Sequence, residues 1–215
     1  MEITVLPAIL EQDINELQRK VDMVKGHVSE IHLDVMDNQF VPNETINDPE
    51  VISEVDWGDI QISLHLMINN PLLYLKKWAL PNVSSIFVHR EAVSNLEECI
   101  KTIRELDKKV GIAINPHTST YDIKDVLDDL DAVMVMAVEP GFSAQAFNAD
   151  VLEKIAYIRE LKPDMPIYVD GGVSDKSKDE IIMAGASVLC ANSYIFKSDD
   201  IAEAIKDLGE LTQQY

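Results

Sequence analysis

The chain has 215 residues, 47% hydrophobic and 26% charged, with 18 basic against 38 acidic side chains and a formal net charge of -20. That balance argues against nucleic acid, whose affinity comes largely from Lys and Arg on phosphates, and against docking on anionic membranes. It leaves room for a small anionic substrate, because clustered backbone N–H groups can hold a phosphate.

No run reaches the roughly 18–20 apolar residues of a membrane span. The start, MEITVLPAIL, is acidic and lacks the basic region of a secretory signal. Cys99 and Cys190 offer neither a disulfide framework nor a CxxC pair. A reducing, cytoplasmic setting is therefore expected.

In chain order, short apolar runs alternate with amphipathic stretches. A strand is predicted over residues 3–10, then a helix over 12–25 carrying Ile14, Leu17, Val21 and Val24 at helical spacing. Residues 30–36, EIHLDVM, alternate with period two, so His32 and Asp34 share one face while Leu33 and Val35 take the other. A short helix over 49–54 precedes a strand over 60–67. With Leu64 and Leu66 facing the helices, His65 turns inward. A short helix over 72–78 leads to a strand over 85–89 that ends in VHRE, and a helix over 95–106 to a strand over 110–115 that ends in Asn115. The remaining units pair a short helix over 123–127 with a strand over 132–138, and a helix over 151–161 with a strand over 166–170 ending in VDGG. A helix over 177–184 then precedes a strand over 187–191, and a helix over 201–211 closes the series. Asn148 and Asp199 read as helix N-caps.

Eight strands alternating with eight helices, with no linker or composition shift between them, predict parallel βαβ units in one domain spanning residues 1–215. A closed (β/α)8 TIM barrel fits the count and the length, ahead of a doubly wound sheet. The polar residues gather at strand C-terminal ends: His32, Asp34 and Asp37, then His65, His89, Asn115 and Asp170. In a barrel that face is where active sites are built. Two histidines and two carboxylates converging there suit Zn, Fe, Mn or Co. Taken singly, an inward His is commonly a hydrogen-bonded core residue and a strand-end Asp a helix cap. Their conjunction favours a site, because buried carboxylates need partners.

The sequence resembles the ribulose-phosphate 3-epimerase family over nearly its whole length. HLDVMDNQFVPN is similar to that family's His-x-Asp-Val-Met-Asp-Gly-x-Phe-Val-Pro-Asn signature, SLHLMINNP to its His-Leu-Met-x-x-x-Pro segment, and AINPHT to its Asn-Pro-x-Thr. MAVEPGFSAQAF resembles its loop Met-x-Val-x-Pro-Gly-Phe-Gly-Gly-Gln-x-Phe, while VDGGV and ANSYIF match its last two strand ends.

The resemblance implies one divalent metal held by His32, Asp34, His65 and Asp170, with Asp34 and Asp170 as acid/base groups on opposite sides of the substrate. It implies an apolar floor of Met36, Met67 and Met136. It also implies a phosphate cradle from Gly141, Phe142, Ser143, Ala144 and Gln145, then Gly171 and Gly172, then Asn192 and Ser193. A homo-oligomer follows by the same resemblance.

The implied activity is 3-epimerisation of ribulose 5-phosphate to xylulose 5-phosphate through an enediolate. The alternatives are the same reaction on a six-carbon ketose phosphate such as allulose 6-phosphate, or a non-catalytic sugar-phosphate-binding barrel. A decarboxylase of this fold carries a Lys beside its strand-two Asp, whereas Asp34 is followed by Val35, Met36 and Asp37. The departures from the family cluster at the phosphate end: Ser143 and Ala144 stand for Gly-Gly, Asn192 for Gly and Ala8 for Ser. Asn38 also stands for the Gly of the first signature. A non-Gly residue held at positive φ costs about 1–2 kcal/mol, less for Asn.

Overall fold

Alternation along each strand sorts the side chains into two layers. In the computed structural model, which describes residues 2–142 and 144–212, Ile31, Leu33 and Val35 join one core cluster with Leu17 and Val21 of the adjoining helix. Met36 belongs to a separate inner cluster with Met67. The same division recurs around the sheet, with Leu64, Leu66, Ile86, Val88, Ile112 and Ile114 in the outer layer. Full burial of such a side chain contributes about 1.5–3 kcal/mol.

The strands are β1 (Thr4–Ile9), β2 (Glu30–Met36), β3 (Gln61–Met67), β4 (Val83–His89), β5 (Lys109–Ile114), β6 (Ala132–Met136), β7 (Ile167–Asp170) and β8 (Val188–Ala191). They pair in parallel in chain order and close as a barrel, β1 meeting β8 from Thr4↔Val188 to Pro7↔Ala191. The closed (β/α)8 barrel is thus the architecture, and the doubly wound alternative is overturned by that last pairing. Inside the barrel the rings of Phe87 and Tyr168 meet at 4.6 Å. Gly111 makes room for them, since a Cβ there would lie 2.2 Å from Phe87 Cδ1. The lower barrel is therefore a packed core rather than a pore, and the cavity lies above it.

The helices are α1 (Ile14–Val24), α2 (Pro49–Ser53), α3 (Leu75–Trp78), α4 (Leu96–Glu105), α5 (Leu152–Leu161), α6 (Lys178–Ala184), α7 (Ser193–Phe196) and α8 (Ile201–Gly209). The sequence did not anticipate α7. The stretch predicted as a helix over 123–127 is a 3-10 segment, Thr120–Asp129. Asp122, Asp125, Asp128 and Asp129 explain this, because Asp competes locally for backbone N–H groups and weakens α-helix. Asn148 caps the turn before α5, accepting from the Asp150 N–H at 3.0 Å. For α8 the cap is Asp200, one residue beyond the predicted Asp199; its Oδ1 accepts from the Glu203 N–H at 3.0 Å. Among the described residues no helix is long and apolar enough to cross a membrane.

Candidate active site

Register sets the polar cluster. Asp34 and His65 are direct partners across β2 and β3, and Asp170 ends β7 opposite Met136 and Cys190. His65 Nδ1 lies 2.8 Å from Asp34 Oδ1 and 3.2 Å from His32 Nε2. His32 Nε2 lies 3.3 Å from Asp34 Oδ1, and Asp170 Oδ2 lies 3.9 Å from His65 Nδ1. The four donor atoms fall within 4.8 Å of one another. Ligands sharing one cation through bonds of about 2.0–2.2 Å sit at separations of this order. The structure therefore brings together all four residues singled out as metal ligands, and the donor set fits a divalent ion.

Both histidines are wholly buried, whereas Asp34 and Asp170 line the cavity above them. The strand end is pinned by Thr45, whose hydroxyl donates to the Asp34 carbonyl and accepts from the Met36 N–H, each at 3.0 Å. Asp37 stands apart from the cluster. Its carboxylate accepts from the N–H groups of Gln39 and Phe40 at 2.9 Å and of Asn69 at 2.7 Å, stitching the β2 and β3 loops together.

The two carboxyls are pushed in opposite directions. Burial and then the charge of Asp34 raise Asp170 to about 7. Burial would raise Asp34 as well, but the adjacent His32 and His65 outweigh it and hold that carboxyl below its usual range. Burial lowers His65 to about 4, leaving the imidazole neutral as a ligand requires. The Cys190 thiol is pushed up to about 11 by burial, and the residue packs with Leu6, Ala8 and Val188 as core.

The cavity has a volume of about 430 Å³. Met36, Met67 and Met136 line it. At the other end stand Gly141, Phe142, Ala144 and Gln145, with Gly171 and Gly172, and with Asn192 and Ser193. Ser143 lies outside the described residues.

Gly171 and Gly172 have φ of +102° and +68°. A Cβ would come within 2.4 Å of Val138 at the first and 2.5 Å of the Phe147 backbone at the second. Only glycine lets the β7 loop rest so closely on the β6 loop. Ala144 and Asn38 occupy positive φ, at 61° and 55°, so two of the non-Gly substitutions sit where conformational cost arises. Asn192 does not: its φ is −102°. Its side chain instead donates to the Ala8 carbonyl at 2.7 Å, tying β8 to β1 at the mouth. The Gln145 carboxamide turns back on its own loop, donating to the carbonyls of Glu139 at 2.7 Å and Phe142 at 2.9 Å.

Several contributors escape the sequence reading. Asn43 donates to the Gly141 carbonyl at 2.7 Å, joining the β2 and β6 loops. Lys154 of α5 donates to the carbonyls of Asn115, Pro116 and Thr118, fixing the loop after β5. Glu91 accepts from the Asn115 N–H at 2.9 Å and from the Thr118 hydroxyl. Burial would raise the Glu91 carboxyl, yet His89, Thr118 and Asn115 together lower it to about 2. A Lys in the first turn of a helix and a Glu after a strand carry no local signal, because their partners lie on other βα units. His117 is exposed on the loop after β5.

The model of the ribulose-phosphate 3 epimerase family matches residues 4–196. A ribulose-phosphate 3-epimerase of Bacillus subtilis is 38% identical over 213 residues, covering 96% of this chain and 98% of its own. One from Helicobacter pylori is 35% identical over 214 residues, covering 97% and 98%. Among solved structures, 3-keto-L-gulonate-6-phosphate decarboxylase of Vibrio cholerae superposes with a TM-score of 0.73 at 12% identity, over 97% of each chain. For 3-hexulose-6-phosphate synthase of Salmonella typhimurium the TM-score is 0.69 at 16% identity, again over 97% of each. At such identities the structural likeness concerns the fold alone.

Proposed function

Because the chain belongs to the ribulose-phosphate 3-epimerase family, epimerases acting on carbohydrates, we propose that it interconverts ribulose 5-phosphate and xylulose 5-phosphate, with Asp34 and Asp170 as the acid/base pair. The observation that carries this reading is the pair of carboxylates, from the non-adjacent strands β2 and β7, opening into one cavity above two buried histidines.

Epimerisation beside a ketone removes a proton from one face of the carbon and returns one to the other. One carboxylate takes the proton and leaves an enediolate; the other, protonated, delivers to the opposite face, and the roles exchange with direction. The divergent environments of Asp34 and Asp170 suit such a division, one carboxyl ionised and one able to hold a proton near neutral pH. His32, Asp34, His65 and Asp170 would hold a divalent ion such as Zn, Fe, Mn or Co. When bound, that ion supplies Lewis-acid stabilisation of negative charge on the substrate oxygens. Met36, Met67 and Met136 present an apolar floor that excludes water from the reacting carbon. The phosphate would lie against the backbone of Gly171 and Gly172 and of the loop around Gly141, as barrels of this class favour.

The experiment is proton exchange followed by NMR in D2O with metal-replete protein. Ribulose 5-phosphate and allulose 6-phosphate are supplied separately. Loss of the C3 proton signal together with appearance of the 3-epimer is expected, faster with the five-carbon substrate. Faster turnover of the six-carbon substrate would reassign the substrate. No exchange with either, on protein shown to hold metal, would overturn the epimerase reading.

A further inference from the structure

Behind the metal ligands runs a second line of polar groups that the proposed chemistry does not use. His65 Nε2, on the side of the ring away from the cluster, lies 2.8 Å from His89 Nε2. His89 is wholly buried at the end of β4, its ring 4.9 Å from that of Phe40. Its other nitrogen, Nδ1, faces Glu91 Oε2 at 3.4 Å. Glu91 is in turn anchored by the Asn115 N–H and the Thr118 hydroxyl.

With a cation in the cluster, His65 Nδ1 owes it a lone pair although Asp34 Oδ1 lies 2.8 Å away, and one arrangement of protons then suits the outer contacts. A carboxylate accepts and never donates, so the negative charge of Glu91, 3.4 Å away, favours the His89 proton on Nδ1. His89 Nε2 then presents a lone pair to His65, which must place its own proton on Nε2. That leaves a lone pair on His65 Nδ1, the atom aimed into the donor cluster. The reverse assignment would set the His89 Nδ1 lone pair against the carboxylate.

We infer that His89 and Glu91 are positioning residues for the metal site, fixing the tautomer and orientation of His65 through the His65–His89 hydrogen bond and the electrostatic contact of Glu91 with His89 Nδ1. The inference rests on the reading that His32, Asp34, His65 and Asp170 hold a divalent ion. Such outer partners of a ligating histidine typically govern metal affinity by about 10–100-fold. Packing alone would be served equally well by an apolar side chain at 89.

The test uses full-length protein loaded with zinc, which is diamagnetic. Long-range proton–nitrogen spectra of histidine-labelled wild type are expected to show His65 protonated at Nε2 and His89 at Nδ1. A proton on His65 Nδ1 or on His89 Nε2 would overturn the relay, whatever the variants do. Zinc affinity, measured by chelator competition, is expected to fall about 10–100-fold in His89→Phe, which fills the space but accepts nothing. His89→Gln, which keeps an acceptor for His65, should recover most of that loss, and Glu91→Leu should weaken zinc more than Glu91→Gln. Zinc bound by His89→Phe with wild-type affinity reduces His89 to packing. Failure of the wild type itself to bind zinc overturns the metal site, a result distinguishable from failure of the relay alone.

Discussion

At the end of the cavity fed by β2, β3 and β7 the wall is made of polar side chains, whereas at the end fed by the loops after β6 and β7 it is made largely of closely packed backbone. Asp34, His65 and His32 are held by strand register, their donor atoms 2.8–3.3 Å apart. Gly171 and Gly172 contribute no side chain; what matters is their positive φ and their close approach to Val138 and Phe147. The two ends consequently tolerate change differently. A ligand or proton carrier cannot be exchanged without losing its chemistry. A backbone donor survives replacement wherever the new side chain accepts the local φ and finds space. Ala144, which stands where the family pattern has Gly, lies at that second end, at a φ of 61°.

The sharpest way to break this comparison is Asp170→Asn. Loss of one acid/base group should lower kcat by about 10²–10⁴-fold, measured as C3 proton exchange in D2O. A variant retaining near-wild-type exchange would remove Asp170 from the chemistry. Next in size is Gly172→Ala at the backbone end. Overlap with the Phe147 backbone should cost about 1–3 kcal/mol, read as a lower denaturation midpoint. A rise in KM for the phosphorylated ketose should accompany it, and an unchanged midpoint would contradict the steric account.

A pH series on metal-free protein sharpens the contrast between the two carboxyls. Asp170 is raised from 3.8 to about 7 in the folded chain, so the native state binds the extra proton between those values. Stability contributed there should fall as pH rises from about 4 to about 7, and Asp170→Asn should abolish that slope in thermal melts. Asp34 is displaced the other way: its contribution is present above the ordinary carboxylate range and is lost as pH falls below it. The smallest effect is reserved for Ala144→Gly. Relief of about 1 kcal/mol at positive φ is offset by about 0.5–1 kcal/mol of added unfolded-state entropy. The melting temperature should therefore barely move; a large gain or loss would mean that the Ala144 methyl group makes contacts of its own.

What was legible in the sequence divides along the same line. Period-two alternation in EIHLDVM and ISLHLM exposes His32, Asp34 and His65 as a shared inner face, because strand geometry dictates side-chain direction residue by residue. The βα repeat fits a closed barrel by count and length, while closure itself is shown by the pairing of β1 with β8. The backbone end is harder to read: Asn192 replaces a glycine without needing positive φ, and Gln145 spends its carboxamide on its own loop. Nothing local distinguishes those outcomes. The Glu91 and Lys154 contacts are equally hidden, since each partner lies tens of residues away and meets it only once the strands are ordered. The 3-10 segment at Thr120–Asp129 shows the reverse limit, where an apolar spacing suited to a helix loses to Asp chemistry.

The pairing of β1 with β8 also bears on how the chain reaches its folded state. Strand β8 ends at Ala191 and its partner begins at Thr4, so the first strand made waits for the last before its edge is covered. Until then β1 and β7 both present open edges, the templates on which chains pair with one another. A truncation that stops short of β8 should therefore aggregate rather than persist as a smaller sheet. Pairing of β1 with β8 removes both open edges at once.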